Sequence, residues 1–467
     1  MRHDFHPTLL REYDIRGLVG DTLSAADARA VGLSFGTVVR EAGGRRVSVG
    51  RDGRHSSPEM RTALVEGLTA AGIDVVDIGQ VSTPTLYFSV FELGTDGGVM
   101  ITGSHNPPAY NGFKMMLGRK AFYGASIQRL GRIAAAGRYA QGQGQVEQRN
   151  IRDIYADRVV RDIRLDRQLK IVWDTGNGAA GPSVNDVSMR LESRHYLLNI
   201  EVDGDFPNHH PDPTVAENLQ EMIAKVKETG ADLGIGFDGD GDRIGVVDNK
   251  GGILWGDQLL AILASEDVLK RHQGAPIIAD VKTSQGFFDW ISQHGGKPVM
   301  WKAGQSLVKA KMAEMQAPLA GEMSGHVFFG DGWYGFDDAL YAGVRLVQIL
   351  ANNPGATLAD LKDRLPHSVN TPELRFSCPE ERKFKVVEEV KAWLKERSDG
   401  REVIDIDGVR VKTSDGWWLL RASNTQAALT ARAESSDEAG LDRLKGDLRA
   451  ALASAGVELV ESTSAAH

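Results

Sequence analysis

The chain has 467 residues, 42% hydrophobic and 25% charged, with a formal net charge of −9. At ~150 residues per domain this length predicts about three domains of ordinary globular composition. The acidic balance excludes nucleic acid and anionic membrane as main partners, and no apolar run approaches the ~20 residues that span a bilayer. The first residues lack the apolar core of a signal peptide. A single cysteine, Cys378, rules out an intrachain disulfide and fits a reducing cytoplasm.

In chain order the first marked feature is Tyr13-Asp14-Ile15-Arg16-Gly17. A strand-like run ending in a polar turn then follows, Val47-Ser-Val-Gly-Arg-Asp-Gly53, with a helix expected over 58–71 and a second strand over 75–78. The unit closes with the apolar run Val99-Met100-Ile101 and the loop Thr102-Gly103-Ser104-His105-Asn106-Pro107. A serine just past a strand end, in a turn held by asparagine and proline, stands clear of its backbone. That placement suits a hydrolase nucleophile, a phosphate carrier or a plain turn. Asn111-Gly112-Phe113-Lys114 comes next and sets a cation near the serine. The polar stretch 141–145 predicts a linker near residue 150.

The same outline recurs twice. Ile171-Val-Trp-Asp-Thr-Gly-Asn-Gly178 leads to a strand over 196–200, and the unit closes on Asp238-Gly239-Asp240-Gly241-Asp242-Arg243. Ile277-Ile-Ala-Asp-Val-Lys-Thr-Ser284 leads to a strand over 298–301 and closes on Gly321-Glu322-Met323-Ser324-Gly325-His326. Strands alternating with helices imply α/β units with mostly parallel sheets. Three copies of one unit would bring the closing loops to equivalent positions around one cleft, beyond the carboxyl ends of the strands. Residues 368–467 read differently, as an α+β domain. It has a helix over 380–397, a hairpin over 403–411 turning at Asp407-Gly408, a strand over 417–421, a helix over 437–455 and a disordered tail from 462. The expected domains are 1–150, 151–254, 255–367 and 368–467.

Three carboxylates at alternating positions need a countercharge, and glycines between them let the backbone wrap a hard divalent cation such as Mg²⁺. An EF-hand would need glutamate at loop position 12, where Asn249 stands. Glu322, Ser324 and His326 suit recognition of vicinal sugar hydroxyls. Arg421-Ala-Ser423-Asn424-Thr425, directly after a strand, offers what a phosphate dianion needs.

Together these motifs resemble the α-D-phosphohexomutase family, in its bacterial phosphomannomutase/phosphoglucomutase branch. YDIRG, TGSHNP, NGFK, DGDGDR, GEMSGH and RASNT occur in that order across the whole chain. The resemblance implies three similar α/β domains plus a helix-on-sheet domain around a central cleft. It implies reversible phosphoryl transfer between C1 and C6 of glucose and mannose phosphates in the cytoplasm, by a monomer or weak dimer.

Ser104 would be the phosphoserine, with glucose 1,6-bisphosphate as intermediate and activator. Asp238, Asp240 and Asp242 would hold Mg²⁺ with a phosphoserine oxygen as a further ligand, and Arg243 would stand beside them. Glu322, Ser324 and His326 would meet the sugar, with His326 also a candidate for proton transfer. Lys302 and Gln305 would join the substrate site. Arg421, Ser423, Asn424 and Thr425 would bind the phosphate that does not react. Tyr13, Arg16 and Lys114 would line the reacting side. Lys114 is the leading general base, because a desolvated lysine among other cations can lose its proton.

One departure is visible. Gly304-Gln305-Ser306 stands where the family often has Gly-His-Ser, and glutamine cannot titrate near neutral pH. Phosphoglucosamine mutase is the alternative within the family, which Met323 in GEMSGH disfavours. A metal-dependent serine phosphatase and a sugar-phosphate binding protein are the alternatives outside it.

Overall fold

The computed structural model describes residues 2–397, 400–424 and 427–458. Its first three sheets share one four-strand core. In the first, Arg46–Arg51 lies between parallel neighbours Asp74–Gln80 and Gly97–Ile101, and Gly97–Ile101 pairs antiparallel with Tyr110–Leu117. In the second, Lys170–Asp174 lies between Arg194–Leu198 and Leu233–Phe237, which pairs antiparallel with Ile244–Asp248. In the third, Pro276–Asp280 lies between Lys297–Trp301 and Leu319–Gly321, which pairs antiparallel with Val327–Phe329. The serine, aspartate and Glu322–His326 loops thus occupy the same turn of the same core, each after the closing parallel strand.

The first sheet has additions. Ile15–Leu18 pairs antiparallel with Tyr110–Leu117, setting Arg16 opposite Gly112, two residues from Lys114. The polar stretch 141–145 has no regular structure. It runs into Val146–Gln148, a further parallel strand on Asp74–Gln80 whose three residues are all exposed. With no buried face, that strand left no alternation to read.

The fourth sheet places Gly416–Ala422 between Val409–Thr413 and Ala428–Ser435, and helices Glu380–Lys395 and Glu438–Ser454 pack on it. Ala428–Ser435 was not expected from the sequence. Its alanines and charges have weak strand preference, yet the strand is buried throughout. Leu429, Ala431 and Ala433 enter the fourth domain's own core, while Glu434 receives Ser284 and Gln285 of the third domain. The tail from 462 lies outside the described residues.

The largest apolar core does not stop at domain limits. It runs from Val76 and Leu86 through Trp173 and Phe237 to Phe329 and Leu365, joining the first three domains. The fourth domain keeps a separate core and meets the third through a small cluster of Val281, Trp417 and Leu419. No helix among the described residues is long and apolar enough to cross a membrane.

A buried acid lies where the second and third domains meet. Asp338 caps helix Ala339–Ala351 by accepting the Tyr341 N–H at 2.9 Å, and both its oxygens accept the Tyr155 hydroxyl at 2.8 and 2.9 Å. Burial raises its carboxyl to about 7 against the pull of those hydrogen bonds. Between pH ~4 and about 7 the folded chain holds a proton that the unfolded chain has released. Stability is therefore expected to fall as pH rises through that window and to level off above it. Denaturant titrations of wild type and Asp338→Asn across this range should show the steeper decline in wild type, with the difference bounded at ~4 kcal/mol.

Candidate active site

Ser104 sits directly beyond Gly97–Ile101 with φ 51°, a left-handed conformation that costs a non-glycine residue roughly 1 kcal/mol or more. Its N–H donates to Thr102 Oγ1 at 2.8 Å, and its hydroxyl donates to Asp238 Oδ2 at 2.9 Å. The serine of the first domain thus meets the acidic loop of the second. Its Oγ also lies 3.2 Å from His105 Nδ1. Burial, with Arg243 and Arg16 nearby, pushes the His105 imidazole well below its ordinary range and keeps it neutral.

The aspartate loop joins Leu233–Phe237 to Ile244–Asp248, so two strands of one sheet fix both its ends. Asp238 Oδ1 accepts the N–H groups of Gly241, Asp242 and Arg243 at 3.0, 3.1 and 3.1 Å. Gly239 must lack a side chain, since a Cβ there would lie 2.4 Å from the Ser104 carbonyl oxygen. Asp238, Asp240 and Asp242 are all 0% exposed, and each brings one oxygen within 4.8 Å of the others. Burial and the two neighbouring carboxylates push Asp238 well above the ordinary aspartate range. Asp240 Oδ1 is buried without a hydrogen-bond partner. A set of hard oxygens this close, one of them unpaired, fits a divalent cation.

Lys114 reaches the same loop. Its ammonium donates to Asp240 Oδ2 at 2.7 Å and to Asp242 Oδ2. Burial favours losing the proton, but Asp240, Asp242 and Asp238 outweigh it and raise the lysine. The expected loosening by neighbouring cations does not match these surroundings, because its nearest charges are carboxylates. Arg16 donates to Asp14 Oδ2 at 2.5 Å, and its Nε is buried without a hydrogen-bond partner.

The third loop is tied to the second. Ile244 N donates to Gly325 O at 3.0 Å, and Arg243 and His326 face each other as a backbone bridge. His326 Nδ1 lies 3.1 Å from both Glu322 Oε2 and Ser324 Oγ, and Nε2 lies 3.3 Å from Asp242 Oδ1. Burial lowers this imidazole, but Asp242 and Glu322 outweigh it and lift it to about 9. Glu322 Oε1 accepts the Gly304 N–H at 2.6 Å. That bond brings the Gly304-Gln305 turn to the loop. Gln305 is nearly buried, with Oε1 unpartnered, whereas Lys302 is exposed.

The fourth domain closes the site through Tyr13. The Tyr13 hydroxyl donates to the Ala303 carbonyl at 2.9 Å and accepts from Asn424 Nδ2 at 2.6 Å, so three domains meet at one oxygen. Arg421 is buried and pairs with Asp407 Oδ2 at 3.0 Å, which also accepts the Ala303 N–H at 3.0 Å. Ser423 follows with its N–H on Ala428 O. Thr425 lies outside the described residues. Asp407 was read from the sequence only as a hairpin turn residue. Arg54, a fully buried arginine beneath the serine loop, went unread altogether, because its partners there are backbone carbonyls that no motif spells out.

The architecture is that of the phosphohexomutases: three copies of one α/β unit each bring a loop to a shared site, and a smaller fourth domain faces them. Four family models cover nearly the whole chain. They describe the phosphoglucomutase/phosphomannomutase alpha/beta/alpha domain I over residues 7–136, domain II over 153–252, domain III over 255–369 and the C-terminal domain over 373–451. A phosphomannomutase/phosphoglucomutase of Pseudomonas syringae pv. tomato is 46% identical over 446 residues, 95% of each chain. A phosphoglucomutase of Neisseria gonorrhoeae is 44% identical over 96% of this chain and 97% of its own. A solved phosphoglucomutase/phosphomannomutase family protein of Burkholderia thailandensis superposes with a TM-score of 0.91 at 47% identity, covering 97% of this chain and 98% of that one. The chain belongs to the phosphoglucomutase/phosphomannomutase family.

Proposed function

We infer that this enzyme interconverts the 1- and 6-phosphates of hexoses, as a phosphomannomutase/phosphoglucomutase. Relatives of that name align over most of the chain, and they do not favour the glucosamine alternative. We propose that Ser104 carries the phosphoryl group. The observation that carries this reading is the 2.9 Å hydrogen bond from the Ser104 hydroxyl to Asp238, which joins a nucleophile to a cation-ready triplet across a domain boundary.

In the proposed reaction a sugar hydroxyl attacks the phosphorus on Ser104. The bond from phosphorus to serine Oγ breaks, the new phosphate ester forms, and the hydroxyl proton passes to a base. The resulting 1,6-bisphosphohexose turns over and returns its other phosphoryl group to Ser104. Mg²⁺ on Asp238, Asp240 and Asp242 would neutralise and polarise the transferring group. Lys114, which its aspartates hold charged, and Arg16 are assigned to charge stabilisation on the reacting side. Glu322, Ser324 and His326, with Gln305 and Lys302, are assigned to the sugar. Arg421, Ser423, Asn424 and Thr425 are assigned to the phosphate that stays, and Tyr13 to closing the site over it. A coupled assay tests the reading: glucose 1-phosphate and mannose 1-phosphate should be converted, and glucosamine 1-phosphate at least ~10-fold more slowly. Preference for the amino sugar would sink it.

A further inference from the structure

We propose that Arg54 is the positioning residue for the serine, holding the left-handed turn that aims its hydroxyl at the aspartate loop; this rests on Ser104 carrying the phosphoryl group. The guanidinium is 1% exposed and lies beneath the loop. It has five N–H donors, and the structure supplies an acceptor for each. Nη1 donates to the carbonyls of Pro107 at 2.6 Å and Tyr110 at 3.0 Å. Nη2 donates to those of Ser104 at 2.7 Å and Asn106 at 2.6 Å. Nε donates to Asp52 Oδ2 at 3.2 Å, and that oxygen also accepts the Gly103 N–H at 3.1 Å. Gly103 leaves room for this, since a Cβ there would lie 2.4 Å from the guanidinium carbon.

One planar cation therefore fixes four carbonyls across the loop, including that of the strained serine. A lysine has the charge but not the fork, and could reach only some of these oxygens. Exposed turns with φ near +50° relax when their carbonyls are free. Here a relaxed turn would swing the Ser104 hydroxyl away from Asp238.

The second domain locks the arginine in place. Its irregular segment 199–213 crosses the interface, with the Phe206 ring 5.3 Å from the guanidinium carbon. Gly204 packs on the backbone of Gly53 and Arg54, where any Cβ would meet Gly53 O at 2.9 Å. The segment is pinned behind by His209 Nε2 on Asp174 Oδ2 at 2.9 Å and by Asn208 Nδ2 on Asn177 Oδ1 at 2.9 Å. The domain that carries the metal loop thus also braces the serine loop, which keeps the two in register.

The test uses the full-length enzyme. In Arg54→Lys, kcat should fall about 100-fold, as for a misplaced nucleophile, while KM for glucose 1-phosphate changes less than about threefold. In Arg54→Ala, millimolar guanidinium should restore at least about tenfold of the lost kcat and methylammonium should not. A role in folding alone would lower the melting temperature without this split or this selectivity. Phe206→Leu, half-buried on the bracing segment, should lower kcat about threefold at unchanged KM, and decides the matter if neither Arg54 variant folds. Wild-type kcat in the folded variants, or equal rescue by both cations, would overturn the positioning role. Ser104→Ala separates the two failures. If it stays active, the phosphoserine reading falls. If it is inactive while the Arg54 and Phe206 variants match wild type, only the positioning role falls.

Discussion

Ser104→Ala should turn over glucose 1-phosphate at least ~10⁴-fold more slowly than wild type while keeping its fold. The loss should be this large because the neighbouring hydroxyls are committed elsewhere, that of Thr83 to Asp240 Oδ2. Thr102 Oγ1 is committed to the Ser104 N–H, and the Ser104 hydroxyl is the one that meets Asp238. Removing an Oγ leaves the Arg54 contacts to the backbone intact, so circular dichroism and melting temperature should change little. Mass spectrometry after incubation with glucose 1,6-bisphosphate should add one phosphoryl mass to wild type and none to the variant. Turnover within ~10-fold of wild type would remove the serine from the mechanism.

The second large effect concerns the cation. Enzyme stripped with EDTA should lose at least ~100-fold in rate, and Mg²⁺ should restore it, because three buried carboxylates around a transferring phosphoryl group repel its charge unless neutralised. Binding should also be visible without substrate. In the described structure Lys114 spans Asp240 and Asp242, which partly offsets that repulsion. Mg²⁺ should raise the melting temperature of stripped wild type through mass action, and should do so far less in Asp240→Asn. Full activity of stripped enzyme without added metal would show that these carboxylates serve another purpose.

The three loops were legible in the sequence because each combines two local signals, an apolar run and a glycine-rich polar turn. The equivalence of their positions followed from the order of those signals, and the shared four-strand core has that order. What escaped reading depends on distant backbone or on weak strand formers. Ala428–Ser435 carries alanines and charges where a strand reader seeks branched residues. Asp407 matters because Arg421 and the Ala303 N–H converge on it from different domains. The charge state of Lys114 depended on which neighbours folding would supply, and they are aspartates. Arg54 was invisible for the same reason, since the four acceptors that tie it to the serine loop are carbonyls every residue possesses.

The continuous core through the first three domains changes how the molecule should be counted. By sequence it is four units; by apolar interior the first three are joined and the fourth stands apart. The serine loop, the aspartate loop and the Glu322–His326 loop stand on one continuous apolar interior, which separating their sheets would open. The fourth domain meets the third through the apolar trio Val281, Trp417 and Leu419 and through buried polar bonds such as those from Arg410 to the Val281 and Thr283 carbonyls, and it reaches the first at the Tyr13 hydroxyl. In the proposed reaction, a movement of the fourth domain that let the bisphosphorylated sugar turn end for end would leave the contact between Ser104 and Asp238 untouched.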